Sequence, residues 1–306
     1  MKKFLAIFAA LAIVLTFAAC GAKNNEPETT EPVTEELTSE EAVATPEDAA
    51  AATATEAEGT EATETEEETT EAENAETTEA AAATETEEET TEAPKAPQTK
   101  EEIVNYFNEA SNKIKTDAKS ATRNYSKIKL AGSTQLPGWV NTVARVVGGA
   151  DSFIDDQLSK NSKGAETFTG AQIKSTYPVE NESYASKLTP ADVQSATCTE
   201  NNGKYTITIK TVSDPTSQNA AHGTGHAPKA FNVPLPATIN ENVPGFAKNM
   251  IGGTAAMEYP SSTFTIVVDA ETGHVESATS DLYWTIHFGS DTTLPFLTQD
   301  SWTIKY

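Results

Sequence analysis

The stretch Lys204-Tyr205-Thr206-Ile207-Thr208-Ile209-Lys210 decides the fold that we predict for this chain. Its three apolar residues alternate with polar ones, as expected of a β-strand that buries only one face. Residues 193–199 form another run before this stretch. Residues 200–203 join the two runs and end in Asn-Gly. Two alternating runs joined by such a turn predict a β-hairpin.

The same period of two returns further along the chain. It predicts strands over residues 264–268, 275–288 and 302–306. The turn between the first two strands ends in Gly273, which is placed for a positive φ. Because half of the strand positions are polar, we expect an antiparallel sheet with one face covered.

Before the predicted strands, apolar residues recur with a period close to 3.6 residues. Thr99 and Glu102 form the sequence pattern of a capping box, and apolar residues then recur at helical spacing, which predicts an amphipathic helix over residues 100–119. A second helical pattern over residues 137–158 is interrupted by two glycines at 148 and 149, so a kink or two short helices is expected. Residues 214–261 fit neither period well, apart from a short helix expected near residues 244–250.

The first twenty residues have the character of a secretory signal. A basic start at residues 1–3 precedes an apolar run, Phe4 to Ala19, which is too short for a comfortable transmembrane helix. The ending Phe17-Ala18-Ala19-Cys20 resembles a bacterial lipobox, although Phe17 replaces the usual Leu. The resemblance implies that residues 1–19 are removed and that Cys20 is acylated, which anchors the protein on the extracytoplasmic face of a bacterial membrane. The alternative is a secreted protein in which Cys20 has no such role.

Residues 20–97 form a low-complexity segment of Glu, Thr, Ala and Pro. The part from residue 21 to 97 carries 25 acidic and two basic residues, and it has very few large apolar residues. Such a segment cannot bury enough surface to offset its ordering entropy, so the sequence predicts a disordered acidic stalk. The stalk is either a tether that holds a domain away from the membrane or a spacer without specific chemistry.

The charge of the chain excludes one class of partner. The formal net charge is -25, but residues 98–306 carry 21 acidic and 17 basic residues, so this folded part is nearly balanced. No basic stretch suggests binding to nucleic acid. With Cys20 acylated, Cys198 has no partner for a disulfide bond, and we expect it to be a small, partly buried side chain.

These observations together predict an α+β domain over residues 98–306, with a curved antiparallel β-sheet packed against N-terminal amphipathic helices. The order of helix and then strands, behind a lipoprotein anchor, resembles the LolA and LppX type of lipid-carrier lipoproteins. The resemblance is one of architecture over residues 99–306, and no motif of that family carries a site residue over. It implies an apolar cavity between helix and sheet.

One histidine pair is a candidate metal site. His222 and His226 stand four residues apart in His222-Gly223-Thr224-Gly225-His226, and two imidazoles at that spacing can share a zinc ion. Histidine pairs that bind zinc with this spacing usually lie on a helix, and the two glycines disfavour a helix here. Asp214 or His274 would become ligands only if the fold brought them close. We therefore expect a flexible exposed loop and no bound metal.

The sequence favours a non-enzymatic, monomeric surface lipoprotein that binds an apolar or glycan ligand, without a cofactor and with membrane lipid as its anchoring partner. Four aromatic residues are candidates for the ligand site: Tyr106, Phe107, Trp139 and Trp284. A structural or protein-interaction module is the alternative, and a metal-dependent hydrolase using His222 and His226 is a third hypothesis. No nucleophile elbow, phosphate loop or dinucleotide fingerprint is present.

Overall fold

The computed structural model describes residues 95–243, 248 and 251–306. These residues form a nine-stranded, mostly antiparallel sheet with several helices, which agrees with the predicted α+β class. The signal sequence, the acylation site Cys20, the stalk as far as residue 94 and most of the helix expected near residues 244–250 lie outside the described residues.

The first helix, α1, spans Lys100–Asp117 and begins at the predicted capping box. The Thr99 hydroxyl accepts a hydrogen bond from the backbone N–H of Glu102, and the Glu102 carboxylate accepts one from the backbone N–H of Thr99. One face of α1 is buried, and the ring of Phe107 meets the ring of Phe264 edge to face at 5.4 Å between centroids. The predicted amphipathic helix and its packing on the sheet are confirmed.

Four shorter α-helices follow among the described residues: α2 Gly138–Ala144, α3 Ala150–Lys160, α4 Ala171–Thr176 and α5 Pro236–Asn242. A single 3₁₀ turn, Arg145–Val147, separates α2 from the two glycines that precede α3. Both glycines have positive φ values of 89° and 104°, which end one helix and begin the next. The predicted interruption therefore divides the segment into two short helices.

The strands of the sheet are β1 Ser120–Leu130, β2 Glu166–Thr169, β3 Val193–Asn201, β4 Lys204–Thr211, β5 Asp214–Ser217, β6 Ala255–Tyr259, β7 Thr263–Asp269, β8 Val275–Phe288 and β9 Thr292–Lys305. Their order is β2-β1-β9-β8-β7-β4-β3, while β6 pairs with β8 and with β5. The predicted β3–β4 hairpin is present, and its turn residues Asn202 and Gly203 have φ values of 51° and 72°. Such a turn matches the twist of the two strands.

The long irregular regions of the sequence contain more structure than the patterns indicate. The segment expected to be a polar link before Thr189 holds β2 and α4, and the poorly patterned residues 214–261 hold β5, α5 and β6. The last strand begins ten residues before the predicted start at residue 302, at Thr292. Within the described part of the chain, no helix is long and apolar enough to cross a membrane.

Candidate functional site

A cleft lies on one face of the sheet, and two loop segments cover it. Its floor comes from β1, β9, β8 and β7, and its cover comes from residues 176–180 and 231–234. The cavity has a volume of about 70 Å³. Since a buried water needs roughly 10–15 Å³, the cavity has room for several waters or for a polar group of a few heavy atoms.

Strand register brings the polar floor residues together. Asp300 on β9 stands opposite Ser126 on β1 and opposite Ser280 on β8. Two residues further along β9, Trp302 stands opposite Arg123. Because Asp300 and Trp302 are two residues apart, they share a face of β9.

An irregularity in β1 is required for this arrangement. Arg123 and Ser126 are three residues apart, so strict alternation would put them on opposite faces of the strand. The register shifts between Arg123 and Tyr125, and both Arg123 and Ser126 line the cleft. A β-bulge therefore aims the guanidinium and the hydroxyl at the same space, which is a recognised use of bulges near binding sites.

Arg123 is held firmly beneath the cleft. Its guanidinium forms an ion pair with Glu166 on β2 and lies 5.3 Å from the ring centroid of Phe168 and 5.9 Å from that of Trp302. The residue is only 8% exposed, and its buried Nε has no hydrogen-bond partner among the described residues. An unpaired buried N–H group costs free energy, so the floor beside the cleft contains a polar group that the described residues leave unsatisfied.

Two half-buried carboxyl groups face the cleft from opposite sides. Burial raises the pKa of Asp300, although a hydrogen bond from Ser126 and the charges of Arg123 and Lys163 act against this shift. Burial also raises the pKa of Glu180 in the cover, against the charge of Lys163 and a hydrogen bond from Asn232. The two carboxyls therefore hold protons more readily than exposed ones do.

The histidines of the candidate metal motif have different environments. His226 Nδ1 donates to Asp192 Oδ1 at 2.8 Å, while His222 Nδ1 is buried without a partner among the described residues. The Asp214 carboxylate accepts hydrogen bonds from the backbone N–H groups of His226 and Ala227 at 2.7 and 2.8 Å. The described residues contain no group of three or more His, Cys, Asp or Glu side chains that could hold a metal ion.

Other hydrogen bonds order the loop that the sequence predicted to be flexible. Asp192 also accepts from Lys229 Nζ at 2.7 and 2.9 Å, so one carboxylate joins two parts of the loop to the start of β3. Gly225 has a φ of 68°, and a Cβ there would come within 2.5 Å of Asp214 Oδ1. This glycine is therefore needed for the close approach of the backbone to Asp214.

The four aromatic candidates do not meet in one place, and none of them lines the cleft. Phe107 is fully buried against Phe264, and Trp284 is fully buried, stacks on Phe296 and donates from Nε1 to Thr298. Tyr106 packs edge to face on Tyr205, and Trp139 on α2 is 36% exposed. A ligand role for these four residues stays a prediction.

Reasoning from the sequence missed Arg123, Glu180 and Asp300. The sequence contained one signal for Asp300. The alternate residues of β9 that share its face are mainly apolar, and Asp300 interrupts them. A carboxyl group at such a position needs a reason, since buried ionisable groups are rare without a partner or a function. Glu180 lies in a loop without periodicity and gave no signal of this kind.

Comparison of the chain with known protein families, with curated protein sequences and with solved structures finds no match.

Proposed function

We propose that this protein is a non-enzymatic binding protein on the extracytoplasmic face of a bacterial membrane and that its cleft binds the end group of a glycan. The composition of the cleft carries this proposal. Glu180 and Asp300 offer acceptor oxygens, whereas Lys163 offers a donor that forms no ion pair with the described residues. Sugar hydroxyl groups both donate and accept, so a polyhydroxylated group can satisfy all three residues.

The charged lining favours a glycan over an apolar ligand. An apolar group would remove water from Lys163 and from both carboxyls without replacing its hydrogen bonds. The volume of about 70 Å³ also lies well below the roughly 300–1,000 Å³ of pockets that enclose drug-sized ligands. The ligand is therefore a small end group of a larger molecule, most of which stays outside the cleft.

The N-terminal part of the proposal rests on the sequence. The basic start, the apolar run and the small residues before Cys20 support export and acylation. The acidic residues 20–97 support a stalk that extends by charge repulsion and carries the domain away from the membrane. In this arrangement a curved sheet covered by N-terminal amphipathic helices displays the cleft to glycans at the cell surface.

Binding to an array of immobilised glycans tests this function. The chain is expected to bind a defined subset of the glycans, and Asp300→Ala is expected to abolish this binding. Asp291→Ala is the matched control, because Asp291 is exposed in the turn between β8 and β9 and accepts from Ser290. The proposal fails if no glycan binds or if both variants bind as well as the original chain.

A structural or protein-interaction module is the second candidate. The tight packing of α1 on the sheet supports it, since both Phe107 and Trp284 are fully buried. The edge strand β3 supports it too, because most of its side chains are exposed and its outer edge can pair with another strand. Cross-linking of the chain to a surface protein would favour this candidate if the Thr197→Pro variant in β3 loses the cross-link. The original chain would also have to bind no glycan.

A further inference from the structure

Building on the proposed function, we infer that the cleft binds an amino sugar with a free amine, held with its ammonium group between Glu180 and Asp300. The inference concerns the chemical class of the end group and not the rest of the glycan. It follows from the partners that these carboxyls have, from the charges around them and from the lysine beside them.

Among the described residues, the hydrogen bonds to the two carboxyls come from neutral groups. Asp300 accepts from Ser126, and Glu180 accepts from Asn232. Within the described part of the chain neither of them forms an ion pair. A carboxylate withdrawn from water is usually paired with a cation, so the site lacks the partner that its charge requires.

The cations that line the cleft do not supply this partner. The charge of Arg123 is matched by Glu166, with which it forms an ion pair. Lys163 faces the same space but forms no ion pair with the described residues. Two ionised carboxylates would thus face one unmatched lysine, which leaves one negative charge for a ligand cation.

Lys163 specifies a second feature of the ligand. Its side chain lines the cleft and forms no ion pair within the described part of the chain, so its ammonium group can donate to a ligand oxygen. A ligand that satisfies the site therefore has an acceptor oxygen close to its ammonium group. A 2-amino sugar has both, because its amine and a hydroxyl group occupy adjacent carbons, and these few atoms match a cavity of about 70 Å³.

The same charges predict how binding depends on pH. Burial raises the pKa of both carboxyls in the empty cleft, and a bound ammonium group favours their ionised forms. The other charged groups at the site are Arg123, Glu166 and Lys163, and all of them except Glu166 line the cleft. Affinity is therefore expected to fall on acidification, because the empty site then binds protons in competition with the ligand.

Calorimetric titration of the full chain with four monosaccharides tests the inference: glucosamine, N-acetylglucosamine, glucose and glucuronate. Glucosamine is expected to bind at least tenfold more tightly than the other three at neutral pH, and its affinity is expected to fall toward pH 5. Asp300→Asn and Glu180→Gln are each expected to weaken glucosamine binding at least tenfold. The matched controls Asp291→Asn and Glu271→Gln change exposed turn residues and are expected to bind as the original chain does.

The outcomes separate this inference from the proposed function. Equal binding of N-acetylglucosamine and glucosamine overturns the ammonium site and leaves glycan binding intact. Preference for glucuronate overturns it as well and assigns the dominant contact to Lys163. If none of the sugars binds but ethanolamine does, and Asp300→Asn removes that binding, the ammonium site stands and the glycan function fails. A thermal unfolding curve for each variant confirms that lost binding does not reflect lost folding.

Discussion

The side-chain nitrogen of Lys115 on α1 lies 2.7 Å from the backbone carbonyl oxygen of Val179, the residue before Glu180. The same Nζ also donates to the carbonyl oxygens of Lys174 at 3.0 Å and Glu182 at 2.7 Å. Lys115 is only 4% exposed, so three carbonyl groups share one buried cation. The helix thereby holds the cover segment that brings Glu180 to the cleft.

Replacing this lysine is therefore expected to destabilise the domain. Lys115→Met keeps much of the side-chain volume but leaves three carbonyl oxygens without their donor, which corresponds to a loss of about 3 kcal/mol in the free energy of unfolding. Urea unfolding measures this loss. Lys113→Met is the matched control, because Lys113 is partly exposed and its ion pair among the described residues is an (i, i+4) pair with Glu109. Equal unfolding midpoints for both variants would contradict the role given to Lys115.

Truncation of Phe107 tests the packing of α1 on the sheet. Phe107 is fully buried and meets Phe264, so Phe107→Ala is expected to lower the free energy of unfolding by about 3–5 kcal/mol. Lys113→Ala is expected to change it little. Thermal or urea unfolding measures both variants. If Phe107→Ala instead weakens ligand binding and leaves the stability of the free protein unchanged, Phe107 lines a ligand cavity, as the sequence analysis proposed.

The hydrogen bonds that Asp192 accepts predict that the domain loses stability in acid. Burial on its own would raise the pKa of Asp192, but hydrogen bonds from Lys229, from the Thr189 backbone N–H and hydroxyl and from His226 outweigh it and lower the pKa to about 2. A folded carboxyl with a pKa below its unfolded value of 3.8 stabilises the protein above pH 3.8. This contribution is lost as the pH falls from about 4 to about 2.

Urea unfolding at several pH values measures this contribution. The stability difference between the original chain and Asp192→Asn is expected to be largest above pH 4 and to shrink toward pH 2. Asp156→Asn is the control, since Asp156 is well exposed and its side-chain partners in the described part of the chain are Lys160 and Gln157 on the same helix. A stability difference that stays constant from pH 6 to pH 2 would show that the Asp192 carboxylate has no such role.

The His222 and His226 pair is expected to bind no zinc tightly. His226 Nδ1 is already bonded to Asp192, and no third ligand joins the two imidazoles within the described residues. Elemental analysis of the purified chain is therefore expected to find zinc well below one equivalent. Stoichiometric zinc that disappears in His222→Ala, but not in the control His274→Ala, would revive the hydrolase hypothesis.

Acylation of Cys20 stays a prediction of the sequence. Cys20→Ala removes the thiol that carries the lipid, so the variant is expected to leave the membrane fraction and enter the soluble fraction. Cell fractionation followed by immunoblotting measures this change, and Cys198→Ala is the control because the other cysteine lies within β3. Retention of Cys20→Ala in the membrane fraction would mean that something other than acylation anchors the protein.

Local patterns were sufficient for part of the fold. The Thr99 capping box and its apolar stripe predicted α1, and period-two alternation predicted the β3–β4 hairpin, β7 and β8. These predictions succeed because caps, turns and alternation act over a few residues. Short elements such as β2 and β6 were missed, because their pairing with distant strands stabilises them more than their own residues do.

The sequence by itself determined which segments become α1 and the main strands, because helical and strand periodicity is a property of neighbouring residues. The cleft was decided only by the tertiary structure. A register shift in β1 puts Arg123 on the same face as Ser126, strand pairing brings Ser126 to Asp300, and Lys115 holds the loop before Glu180. Residues as far apart in the chain as Arg123 and Trp302 thus create one environment, and burial and charge in that environment, which no local pattern records, make these carboxyls a candidate site.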